Sequence, residues 1–136
     1  MTQLYCSLSK IQIFTTTMSQ PDAANSSAII GGKLVKIDEE WKFDAIQALI
    51  RDCPGLNTGQ YWVDGYNERN NVDEWKFSDD TLVPMDKHFW KEHAPNEKEG
   101  DPFCIRMVRH SGDEIGDHRF DDTKCSNTFG YICEQN

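Results

Sequence analysis

Apolar and polar residues alternate most clearly in the last third of the chain. Ile105, Met107, Tyr131 and Cys133 fall at every second position of two short stretches, 104–107 and 129–134, the period of a half-buried strand. Between them, residues 111–117 are mostly Ser, Gly, Asp and Glu, which cannot hold a core and read as a long surface loop. Residues 120–125 turn the chain, with the carboxylates Asp121 and Asp122 where loop meets strand, just before Cys125. At the other end, residues 4–14 alternate loosely, as one N-terminal strand would. Ser19-Gln20-Pro21-Asp22 is a helix start, with Ala23, Ala24, Ala28 and Ile30 on the buried side and Gly31-Gly32 as the stop. Leu34, Val35 and Ile37 lead to Asp38, an N-cap for a second helix on which Trp41, Ala45, Ile46, Leu49 and Ile50 share a core face. Cys53-Pro54-Gly55 ends it. Residues 61–63 and 75–77 are strand-like, and 79–96 are irregular with Phe89 and Trp90 as apolar anchors. A strand, two helices, then strands and long loops give an α+β fold, helices segregated from antiparallel sheets with long ligand-binding loops.

Composition narrows the function classes. A chain of 136 residues with 38% apolar content and four Trp is the size of one folded domain, 1–136. A formal charge of -9 argues against nucleic acid and anionic membranes as partners, and no apolar run reaches membrane-spanning length. Residues 1–18 hold no signal-like block, so any secretory leader is expected to be already removed. The five cysteines lack zinc spacing and read as a disulfide framework in an oxidising, extracellular compartment, their odd number implying a partner chain or a free thiol. His88, His93, His110 and His118 are likewise not at zinc spacing. His118 and Arg119 stand in the loop entering the acidic pair, where they could contact a ligand. Neighbouring acids on a strand point to opposite faces, so Asp121 and Asp122 do not suit glycoside hydrolysis. With no nucleophile-elbow, phosphate-loop or metallohydrolase motif, an enzyme is the weakest class. Asn25-Ser26-Ser27 is a glycosylation sequon, placed inside the first helix.

Several motifs, in order, resemble the C-type lectin-like family. Gly31-Gly32-Lys33-Leu34-Val35-Lys36-Ile37 is similar to its link between two helices, and Trp62-Val63-Asp64-Gly65 to its Trp-Ile-Gly-Leu strand. Trp75-Lys76-Phe77-Ser78-Asp79-Asp80 resembles its Trp-x-Trp-Ser-Asp-Gly stretch, and Phe120-Asp121-Asp122 its Trp-Asn-Asp tripeptide. Ala94-Pro95-Asn96 falls on the sugar-specifying tripeptide. The resemblance covers roughly residues 5–135 and implies a secreted carbohydrate-binding lectin, of an invertebrate kind. It implies Ca2+ held by Asn96, Asp121 and Asp122, with Asp101 the nearest substitute for a further acid, a sugar met by Pro95 and the same four residues, and a cis bond before Pro95. His118, by its place in the entering loop, is a further candidate for sugar contact, a plain exposed His118-Arg119 pair being the alternative. It also implies a Cys104–Cys125 bridge. Three departures stand out: Ser27 replaces the usual partner of Cys133, Ala94 removes a carboxylate, and Pro102 removes another. The thinner site favours N-acetylated hexosamines over plain mannose. It also leaves open a lectin-like domain that binds a protein instead. Cys6 and Cys53, both near plausible surface positions, favour bonds to another chain and hence a disulfide-linked dimer, the alternative being one internal Cys6–Cys53 bond and a monomer.

Overall fold

A computed structural model describes residues 4–67, 74–85, 88–95, 103–109 and 118–136. Among the described residues seven strands form one sheet. They are β1 (Leu4–Leu8), β2 (Ile11–Met18), β3 (Gly32–Leu34), β4 (Tyr61–Asn67), β5 (Phe103–Arg109), β6 (His118–Lys124) and β7 (Phe129–Gln135). Two helices accompany them, α1 (Gln20–Ile29) and α2 (Glu40–Asp52). The sheet order is β1-β2-β7-β4-β5-β6, with β3 also on β7. Only the β4–β7 pair is parallel, so the expected α+β class with a mostly antiparallel sheet is what forms.

The single N-terminal strand expected over 4–14 is a hairpin instead. Ser9 takes a positive φ of 55° and the chain folds back, pairing Leu8 with Ile11. Ser19 caps α1 by accepting a hydrogen bond from the Asp22 N–H at 3.4 Å, and proline occupies the first turn.

Alternation along the central strands divides the core in two. Ile13, Tyr61, Val63, Phe103, Ile105 and Ile132 face α2 and the loop anchors Phe89 and Trp90. Phe14, Trp62, Cys104, Tyr131 and Cys133 face the other way, with Ala23 of α1. On α2 the buried stripe is Phe43, Ile46, Leu49 and Ile50, while Trp41, expected in the core, is 66% exposed. On α1 the buried residues are Ala23 and Ser27, whereas Ala28 and Ile30 are exposed. On α2 the expected phase holds at Ile46, Leu49 and Ile50; on α1 it shifts, because a stripe read from apolar letters omits a buried serine.

Two disulfides close the framework, Cys6–Cys53 and Cys104–Cys125. Cys104–Cys125 forms as the resemblance implied and clamps β5 to the end of β6. Cys6 and Cys53, expected to bond to a partner chain, are joined to each other. The β1–β2 hairpin packs against α2, which brings Cys6 onto the helix C-cap at Cys53. This is the internal bond that the sequence left as the alternative to a disulfide-linked dimer. Cys133 is a buried free thiol in contact with the hydroxyl of Ser27.

Candidate functional site

The residues singled out by the sequence converge on β6, though not at a loop junction. Residues 120–125, expected to turn the chain, mostly belong to a regular strand whose register pairs Ile105 with Asp122, Arg106 with Asp121 and Met107 with Phe120. Segment 88–95 is stitched onto this strand. The Phe120 N–H donates to Phe89 O at 2.7 Å, and the Lys91 N–H donates to Phe120 O at 2.8 Å. Phe120 fills the space below, with ring centroids 5.7 Å from Phe89 and 5.6 Å from Trp90. Ala94 packs against the same cluster, and its peptide bond to Pro95 is cis. Phe120 thus takes the place of a core aromatic and holds the loop against the strand.

Strand alternation separates the two acids. Asp122 shares the face of Phe120 and Ile105 and is buried there. Asp121 points to the opposite face, where the guanidinium of Arg106 grips it. Nη2 donates to Oδ2 at 2.7 Å and Nε to the same oxygen at 3.2 Å. A second donor of Arg106 reaches the Gln60 side-chain oxygen, and its guanidinium carbon stands 5.2 Å from the centre of the Phe129 ring. This charge-assisted pair lies across neighbouring strands, with Asp121 buried and Arg106 partly so. Sequence reasoning missed Arg106. Its only signal was a basic residue two positions after Cys104, and that becomes meaningful only once the β5–β6 register is known.

His118, a candidate for sugar contact, is fully buried. Its backbone N–H donates to the Gln47 side-chain oxygen at 2.7 Å, its carbonyl accepts from the Gln47 amide, and its ring Nε2 lies 2.9 Å from Gly59 O. It anchors the start of β6 to α2 and to the loop before β4, so it does not present itself to a ligand. Asn96 and Asp101, the other expected ligands, lie outside the described residues. Trp62 and Trp75 are core. The Trp62 indole N–H donates to Met18 O at 2.8 Å.

A calcium ion takes six to eight oxygens. Among the described residues no group of three or more acidic, His or Cys side chains could hold a metal ion. Asp121 is already neutralised by Arg106, so the described residues alone do not make a calcium site.

Two further acids are set by their surroundings beneath the site. Asp64 occupies the glycine position of the Trp-Ile-Gly-Leu pattern and is buried. Burial pushes its carboxyl above the usual aspartate range, against the pull of the Ser78 N–H (3.0 Å) and hydroxyl (3.0 Å) donating to it. Asp79 is held well below that range by Lys36, whose ammonium donates to it at 2.7 Å, and by Thr81. These contacts give the stretch resembling Trp-x-Trp-Ser-Asp-Gly a structural purpose, joining segment 75–82 to β4 and to the residues after β3.

The fold is that of a non-catalytic recognition domain. The chain belongs to the C-type lectin family, whose domain profile, Lectin C-type domain, matches residues 16–135. Solved structures share the fold at low sequence identity. TC14, a C-type lectin from the tunicate Polyandrocarpa misakiensis, aligns with a TM-score of 0.76 at 21% identity, over 93% of this chain and 96% of that one. SPL-1, solved in complex with GlcNAc, aligns at 0.69 and 18% identity over 95% and 90%. A calcium-independent type II antifreeze protein aligns at 0.67 and 22% identity over 95% and 89%. Among curated protein sequences none matches.

Proposed function

We propose that this is a secreted lectin that binds terminal sugars of glycans, with calcium assistance, and favours N-acetylated hexosamines. The observation that carries this reading is the stitching of segment 88–95, which ends on the cis Ala94-Pro95 bond, onto β6, the strand that carries Asp122. Asn96 follows Pro95 directly in sequence. Its side-chain carbonyl can serve a metal and its amide a sugar hydroxyl. With Asp121 paired to Arg106, the oxygen set reduces to Asn96, Asp101 and Asp122, so calcium is held weakly, in keeping with affinity that follows ligand count and charge. Ala94 contributes no acceptor, and an N-acetyl group offers a methyl and an amide as substitute handles. The GlcNAc complex of SPL-1, on the same fold, supports this choice. The two disulfides suit an oxidising, extracellular setting.

A second reading is supported by the Asp121–Arg106 pair. A fixed cation already satisfies one of the two acids, and the antifreeze protein shows that this fold occurs in a calcium-independent form. In that reading the same face binds a protein partner without metal. A glycan array with and without chelator separates the two. Sugar binding that favours N-acetylhexosamines and is lost on chelation is expected, whereas binding to no glycan at millimolar calcium would sink the lectin reading. Asp122→Ala should abolish chelator-sensitive binding, and because Asp122 is buried a thermal melt checks that the variant still folds, while Asp121→Ala should lower stability by about 1–3 kcal/mol by stranding Arg106.

A further inference from the structure

Helix α1 carries an exposed apolar patch that neither the core nor the candidate site explains. Ile29 is 84% exposed and Ile30 44%. They flank a groove of about 210 Å³ lined by Phe14, Ser26, Ile29, Ile30 and Tyr131. Phe14 and Tyr131 stack at 5.0 Å to form its floor. Asn25 is exposed one helical turn before Ile29, so the two side chains are neighbours on one stripe. Asn25 also begins the sequon Asn25-Ser26-Ser27.

We propose that Asn25 carries an N-linked glycan whose first sugar lies over Ile29 and the Phe14–Tyr131 groove. The inference rests on the secretory part of the reading above and not on its sugar-binding part. The Asn25 side-chain nitrogen forms a bond to the anomeric carbon of a lipid-pyrophosphate-linked oligosaccharide, the donor of the secretory pathway. The bond from that carbon to the phosphate oxygen breaks, the lipid pyrophosphate leaves with the electron pair, and the amide gives up one proton. Ser27, the hydroxyl residue of the sequon, is fully buried against Cys133 in the folded chain. Transfer therefore precedes the docking of α1 on the sheet. The substitution that denies Cys133 a disulfide partner is the same one that completes the sequon. Once attached, the apolar face of a pyranose ring removes Ile29 from water, and the patch lies on the sheet face opposite Asp122, clear of the candidate site.

The test is to express the chain behind a cleavable secretion leader in a eukaryotic host and to collect material with both disulfides closed. Peptide mass spectrometry is expected to find a glycan on Asn25 in most molecules. Enzymatic release should leave an aspartate at that position, and both Asn25→Gln and Ser27→Ala should abolish the modification. The released protein should bind more of an apolar dye than the glycosylated form, and Ile29→Ser should remove that increase. Secreted, doubly bridged protein with an unmodified Asn25 overturns the glycan. Equal dye binding before and after release overturns its placement over the groove. Glycan-array binding of the same material reports separately on the lectin reading.

Discussion

The Ser27 hydroxyl and the Cys133 thiol touch inside the closed core between α1 and the sheet. Burial pushes the thiol's pKa up to about 11, so at neutral pH it is neither a nucleophile nor readily oxidised. Cys133 is therefore expected to resist alkylation in the native protein and to react only after denaturation, as mass spectrometry with a thiol reagent would show. The two residues lie 106 positions apart in sequence. Ser27→Cys should close a third disulfide without moving the backbone. The chain-entropy model for so long a loop gives roughly 3–5 kcal/mol of stabilisation, read as a higher denaturant midpoint that reductant removes. A variant that stays reduced after oxidative refolding from the denatured, reduced chain would show that α1 does not sit at bonding distance from β7.

At the scale of elements, the stretch 75–82 is held by charge as much as by packing. Bridges from Lys76 to Tyr66 and to Leu82 tie it to β4 and to itself, and Lys36 reaches across to Asp79. Because the Asp79 carboxyl is held below its ordinary value, the folded state binds that proton less tightly than the unfolded one. Its contribution is therefore present above the ordinary aspartate pKa of about 3.9 and is lost as pH falls through the folded value. Asp64 has the opposite sign. Burial raises its pKa, so its contribution is full below the ordinary value and is lost as pH rises through the folded one. Asp79→Asn should accordingly lower the melting temperature at neutral pH, with the gap to wild type closing in acid. For Asp64→Asn the advantage of wild type should shrink in the other direction, as pH rises. Thermal melts from pH 2 to 8 decide both, and a pH-independent gap for Asp79→Asn would mean that the Lys36 contact contributes nothing.

For the molecule as a whole, Cys6 and Cys53 are joined within one chain. Gel electrophoresis without reductant should show a single band at monomer mass, and a reductant-sensitive dimer would mean that these cysteines exchange partners. The bond closes a loop between residues 47 positions apart, so Cys53→Ser should cost about 2–4 kcal/mol by the same chain-entropy reasoning. It ties the hairpin to α2, the helix that also holds β6 through Gln47 and His118.

Local pattern determined a good deal of this protein. Period-two alternation marked β4, β5 and β7, the Ser19-Gln20-Pro21-Asp22 start and the glycine stop bounded α1, and ordered motifs pointed to the C-type lectin fold. Those features depend on the chemistry of neighbours within a few residues, which the sequence displays directly. Other features were decided only by the tertiary structure. A cross-strand register pairs Arg106 with Asp121, and the docking of a hairpin on α2 makes Cys6 a partner for Cys53. Contact with α2 buries His118, and the core takes Ser27 in place of a larger apolar residue. Each joins residues far apart in the chain through strand pairing or helix docking, so no window of sequence contains both partners. The two adjacent acids show the boundary most plainly. Alternation alone dictated that Asp121 and Asp122 face opposite ways, but only the assembled sheet decided that one meets an arginine and the other shares the buried face of Phe120 and Ile105.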